Sequence, residues 1–147
     1  MQKFRFKLQR LLDFRKIREE QAEAEFAKAT RVFLQEKEVL RQLEIKLVKT
    51  FDLIKQEQEK SSSLLTLKLF QDYIDTTREG IKQQAISVAA AADRRQQCLR
   101  KLEEAVRKRK GVESLKDKKI QQYHEELLRE EQGFLDELST QRYIRHS

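Results

Sequence analysis

From Ala22 onward the side chains fall into a 4-3 rhythm. Its positions are Ala22, Phe26, Ala29, Phe33, Glu36, Leu40, Leu43, Leu47, Thr50 and Ile54, eight of them apolar. A period of 3.5 residues keeps one stripe turned toward a partner helix, which is the condition for a coiled coil. Upstream, Phe4, Leu8, Leu11, Phe14 and Ile17 carry a helical stripe in poorer phase, and residues 15–21 form a polar interruption. The rhythm fails at residues 57–63, where Ser61, Ser62 and Ser63 make the one loop-like cluster of the sequence. Serine is a weak helix former and a good N-cap, because its hydroxyl accepts a bond from an orphan backbone N–H. No Glu or Gln stands three residues after any of the three, so no capping box forms. The rhythm then returns as Phe70, Ile74, Thr77, Ile81, Gln84, Val88, Ala91, Arg95, Cys98, Leu102, Ala105, Arg109 and Val112, nine of the thirteen apolar. It slips phase and resumes as Ile120, Tyr123, Leu127, Phe134 and Leu138.

This pattern predicts an all-α chain: a long two-helix antiparallel coiled-coil hairpin with its turn near residues 60–65. Helix 1 is expected over about residues 3–60, the turn at 61–63, helix 2 over about 64–140 and a flexible tail at 141–147. The whole of residues 1–147 is read as a single coiled-coil domain and as a monomer on its own. A short turn between two heptad segments implies the antiparallel arrangement. A fold-back near Ser62 sets residues opposite each other when their numbers add to about 124. Phe33 then meets Ala91, Phe26 meets Cys98, and Ala22 meets Leu102, large against small as close packing requires. By the helical rise, helix 2 (about 115 Å) outruns helix 1 (about 87 Å). Residues beyond about 121 overhang, with an apolar stripe lacking intrachain cover. An uncovered stripe of this kind marks a partner surface. The expected docking end combines Phe4, Leu8, Leu11 and Leu12 with Tyr123, Leu127, Phe134 and Leu138. Gly111 and Gly133 are expected soft points of helix 2, since each costs about 1 kcal/mol of helix relative to Ala.

Composition supports the helical reading. Among 147 residues there is no Pro, no Trp, one Cys and three Gly, and 39% are charged. That is the profile of a long helix or coiled coil. High charge also suits disorder, but the regular apolar spacing argues against it. The lone Cys98 excludes an intrachain disulfide framework, and a reducing, cytoplasmic compartment is the expectation. The longest apolar run, residues 88–92, is far short of the ~20 residues that cross a bilayer. The opening residues lack the apolar core of a secretory signal.

Catalytic chemistry finds little footing. No phosphate-binding glycine loop occurs. His124 and His146 lie far apart, and neither has a second ligand at helical spacing, so no metal site is expected. The chain is expected to be no enzyme and to need no cofactor. Charge is more informative. The net charge is +7, and two basic tracts carry it. One is Lys3, Arg5, Lys7, Arg10, Arg15, Lys16 and Arg18; the other is Arg94, Arg95, Arg100, Lys101, Arg107, Lys108, Arg109 and Lys110. Such tracts serve as solvated helix surface, as docking sites for an acidic protein, or as contacts to nucleic acid or lipid. The acidic run at residues 125–131 has the opposite sign. Alternating sign suits a charged protein channel better than a uniform polyanion, so nucleic acid is not expected.

The residues also resemble a family. The opening Phe4-Arg5-Phe6-Lys7-Leu8-Gln9-Arg10-Leu11-Leu12-Asp13-Phe14-Arg15-Lys16, running into Glu19-Glu20 and an Ala/Glu-rich stretch, resembles the start of the bacterial flagellar export protein FliJ. Phe70-Gln71-Asp72-Tyr73-Ile74 with Ile81 and Gln84, the stretch Arg109-Lys110-Gly111-Val112-Glu113-Ser114-Leu115-Lys116, and Glu130-Glu131-Gln132 followed by Leu135-Asp136-Glu137 and Arg142 and Arg145 agree in order. The resemblance implies a cytoplasmic coiled-coil stalk, similar to the gamma subunit of rotary ATP synthases, associated peripherally with the cell membrane. It implies insertion into the ring of the export ATPase FliI, promotion of ring assembly, contact with the export gate protein FlhA and escort of flagellar substrate chaperones. It also implies a gate-docking face at Tyr73, Thr77, Gly80 and Gln84. Two other readings stay open: a basic coiled-coil arm binding structured RNA, and the equivalent stalk of a virulence type III secretion system.

Overall fold

The structure, a computed structural model, describes residues 3–60 and 63–146. Of these, 94% are helical. Two elements account for them: α1, Gln9–Glu59, and α2, Leu64–His146. No strand occurs among the described residues. The helices pack against each other as a helical hairpin. Contacts gather into two compact units, one of Met1–Glu20 with Glu103–Ser147 and one of Gln21–Leu102.

Within the 21–102 unit the seam follows the heptad positions closely. All ten positions from Ala22 to Ile54, and those from Phe70 to Leu102, are buried or half-buried. The antiparallel register is visible in two polar contacts. Gln84 donates to the carboxylate of Glu36, and the guanidinium of Arg95 donates to the hydroxyl of Thr30 at 3.1 Å. Partner numbers add to 120 and 125 there, close to the value inferred from a fold-back near Ser62. Ala29, Ile74, Ala91 and Cys98 are the buried apolar residues of this unit. Two helices enclose a side chain from two directions only, so most larger seam residues remain half-exposed.

The unit formed by the two terminal segments departs from expectation in four ways. First, α1 begins at Gln9, not near residue 3. Phe4, Phe6 and Leu8 alternate with Lys3, Arg5 and Lys7, a period of two rather than 3.6. No acidic residue occupies the first turn of α1, while Arg10 stands in it and Lys7 just before it, and cations oppose the positive end of the helix dipole. Second, residues 15–21 do not interrupt the seam. Counting back from Ala22 in the same rhythm gives Glu19, Arg15 and Leu12, and all three are buried or half-buried. Phe14 and Ile17, placed on the stripe from sequence, are exposed instead. Third, the phase slip after Val112 is a four-residue step. Lys116, Ile120, Tyr123 and Leu127 continue the covered face. An extra four residues locally relaxes the left-handed supercoil. Fourth, α2 runs to His146, so the tail drawn at 141–147 is helical over its described residues. No Gly or Pro stops it, Thr140 bonds back to the carbonyl of Asp136, and Arg142 and Arg145 suit the negative end of the dipole.

Ser61 and Ser62 of the expected turn lie outside the described residues. Ser63 caps α2 as its hydroxyl allows, accepting the N–H of Thr66 at 3.2 Å. α2 passes through Gly111 and Gly133 as one helix. No helix among the described residues is long and apolar enough to cross a membrane.

Candidate functional site

The polar seam positions show how the hairpin handles buried polarity. Thr50 and Thr77, both buried, return their hydroxyls to the carbonyls of Lys46 and Tyr73 at 2.8 Å each. This is the usual escape for a hydroxyl inside a helix. Arg95 stretches along the seam, its guanidinium 5.0 Å from the Phe26 ring centroid. Arg109 donates to Glu19 across the seam and to Glu113 one turn on. The bond to Glu19 is the main cause that pushes Arg109 above its ordinary pKa; burial acts against it. A raised value leaves the guanidinium charged at every accessible pH. Lys116 adds a bond to the side-chain oxygen of Gln9 at 2.8 Å. Among the described residues no buried side-chain nitrogen or oxygen lacks a partner. These pairs set which residue of α1 faces which of α2, because sliding by a heptad would strand each charge.

The eight residues expected to dock at the chain ends separate into four groups. Leu12 is only 1% exposed and is core. The loop before α1 folds onto α2, with the rings of Phe4 and Tyr123 5.6 Å apart. Leu11 and Leu127 are half-covered. Phe4, Leu8 and Tyr123 share a groove of about 460 Å³ with Phe6, Leu115 and Lys119. Phe134 and Leu138 stand at 61% and 41% exposure, with no cover among the described residues. Leu12 is therefore used inside this unit, and Phe4 and Tyr123 in part. The physical reason is the covered face carried through Lys116, which brings Tyr123 back over the start of the chain.

The expected gate-docking face divides as well. Tyr73 is exposed, Gly80 half-buried, and Thr77 and Gln84 are seam residues. Four residues spaced i, i+4, i+7, i+11 keep to one side of a helix, and here that side is the one turned to α1, with Tyr73 at its exposed end. Around Tyr73 the structure gathers neighbours, most of which the heptad count passes over. Lys46, Lys49, Leu53, Leu69 and Phe70 line an apolar groove of about 560 Å³ with it, and the Lys46 ammonium sits 5.0 Å from the Tyr73 ring centroid. The missed signal was the apolar residues left over once the seam is assigned: Leu53 and Leu69 are needed by no heptad position.

No group of three His, Cys, Asp or Glu capable of holding a metal occurs among the described residues. Cys98 is buried in the seam. The arrangement is that of a helical hairpin whose register is held by half-buried polar pairs and which leaves apolar side chains exposed along both helices, the Tyr73 groove and the end of α2 among them. The flagellar FliJ protein model matches residues 4–147, and the chain belongs to that family. No curated protein and no solved structure matches it. Membership makes it a flagellar export-associated protein, of a family whose members are non-catalytic parts of the export apparatus.

Proposed function

We propose that this chain is the stalk of the flagellar export ATPase. Its terminal unit inserts into the FliI ring and promotes ring assembly. The Tyr73 groove contacts the gate protein FlhA, and the chain escorts chaperones of flagellar substrates. It works in the cytoplasm, held at the membrane face through the gate. The observation that carries the reading is the α2 surface after Leu127, where Leu128, Phe134, Leu135 and Leu138 are exposed on one helix. Each such residue, once fully buried, contributes about 1.5–3 kcal/mol to a complex, and nothing in the hairpin uses them. Family membership supports the export setting.

The test is ring assembly of a purified export ATPase with the wild-type chain and with the variant Phe134→Gln/Leu138→Gln. Wild type raises the ring fraction and the ATPase rate. The variant keeps its helical circular dichroism and loses the stimulation. Stimulation unchanged by the variant removes this face from the ring contact. A tight, steeply salt-dependent complex with structured RNA, and none with the ATPase, replaces the proposal by an RNA-binding arm.

A further inference from the structure

The α2 end carries a second heptad of its own. Leu128, Glu131, Leu135, Leu138, Arg142 and Arg145 follow one another at intervals of 3, 4, 3, 4 and 3. That spacing puts all six on one side of the helix. All six are exposed, Leu128 at 64% and Leu135 at 56%, with Phe134 at their flank. Among the described residues, Glu131, Arg142 and Arg145 enter none of the ion pairs. The order is acid, two leucines, base, and this order is self-complementary when reversed.

We propose that a second copy of this chain covers this face, through an antiparallel two-fold pairing of residues 128–145. In the pairing register where residue numbers add to 273, Leu135 meets Leu138, Glu131 meets Arg142 and Leu128 meets the stem of Arg145. The two-fold axis repeats each contact. A parallel pairing sets Glu131 on Glu131 and Arg142 on Arg142, and a one-heptad slip sets Glu131 or Arg142 against leucine. The charges therefore select one orientation and one register, as they do within the hairpin, where Arg109 pairs with Glu19 at seam positions. The helix is already formed along this stretch, so association does not repeat the cost of nucleation. Five turns of helix make a small interface, and small interfaces are weak. A dissociation constant on the order of 10–100 µM is expected. The face is the one assigned above to the ATPase, so pairing and docking exclude each other, and the paired form keeps these leucines out of water until the ring takes them. The pairing itself does not depend on that assignment, and it replaces the lone monomer expected from sequence.

Sedimentation of the full chain from about 2 to 200 µM, a span bracketing that constant, tests the inference. Wild type shifts from monomer to dimer across the range. Glu131→Arg and Arg142→Glu each weaken dimerisation at least about tenfold, because each sets like charges together. The double variant Glu131→Arg/Arg142→Glu restores it. A mixture of the two single variants forms a heterodimer, since every pair in it is then opposite in sign. Circular dichroism of each variant confirms the helix. A chain monomeric throughout, a dimer indifferent to the single reversals, or a double variant and mixture that fail to recover overturns the proposal. Ring-assembly assays do not enter this result, so it stands or falls apart from the stalk reading.

Discussion

Replacing Leu12 by Ala separates what the terminal unit uses internally from what it offers to a partner. Leu12 is 1% exposed and is the largest fully buried apolar side chain of that unit. The substitution removes three carbons. At about 0.8 kcal/mol per buried methylene-sized group the transfer loss is about 2.4 kcal/mol. Deep in a globular core a residual cavity raises such costs toward 5 kcal/mol. Here the seam is one layer thick and open at its flanks, so water and neighbouring side chains fill the gap, and the cost stays near the transfer value. Ala is a slightly better helix former than Leu, which returns a few tenths. The expected loss is about 2–2.5 kcal/mol. Amide hydrogen exchange read by mass spectrometry is the suitable assay, because it reports on each unit separately. Exchange should accelerate by about 30–70-fold, the rate equivalent of that loss, in peptides covering residues 9–20 and 109–123. Peptides covering 30–50 and 74–95 should stay near wild type. Phe134→Ala is the internal control, with no acceleration in any of these peptides. Unchanged exchange in the Leu12→Ala variant, or equal acceleration from Phe134→Ala, refutes the division of this end into core and docking residues.

Other consequences follow from single contacts. Gly133→Ala should raise the melting temperature, with up to about 1 kcal/mol gained in helix propensity, because an added Cβ there meets no atom within 4 Å; a lower melting temperature would show a backbone need at that position. Glu38 is held down from 4.5 to about 2, first by its bond from Arg41 and then by that from Gln42. A depressed carboxylate stabilises the fold above its ordinary pKa and loses that contribution as pH falls toward 2. A carboxyl NMR titration should give a midpoint near 2 for Glu38, moving into the ordinary range in Arg41→Ala, with little change in global melting since the pair is exposed. Arg109→Ala leaves Glu19 without its cross-seam cation and Glu113 without its partner one turn away, and should lower the melting temperature. Arg109→Leu combined with Glu19→Leu should recover it, because an apolar pair on the covered face replaces a half-buried ion pair at little cost; a double variant less stable than Arg109→Ala alone contradicts that account.

How far the hairpin was legible depends on what each position demands of its surroundings. The 4-3 rhythm from Ala22 to Ile54 and from Phe70 to Leu102 locates the seam, because a helix repeats its facing direction every 3.5 residues whatever the partner is. The absence of Pro and the rarity of Gly leave long helices as the consistent outcome. The antiparallel register near a sum of 124 followed from a single turn. These are local or one-dimensional properties, and the chain order carries them. The family was legible in the order of short motifs, and the match over residues 4–147 bears it out.

The tertiary structure decided where a residue's neighbour overrides its own character. Glu19 and Lys116 look like surface by residue type, yet they sit on the covered face because their partners on the opposite helix supply counter-charge or a hydrogen bond. Leu12 and Phe4 look like free docking residues, yet Leu12 is buried, and Phe4 is half-buried with its ring against Tyr123, which the four-residue step after Val112 turns toward the start of the chain. Tyr73 acquired a groove, while Thr77 and Gln84, on the same helix, turned into the seam. Apolar periodicity names the residues that want cover. Which of them are covered from within, and which are left for another protein, depends on the distance between two helices and on the phase of their heptads, and that is a property of the pair.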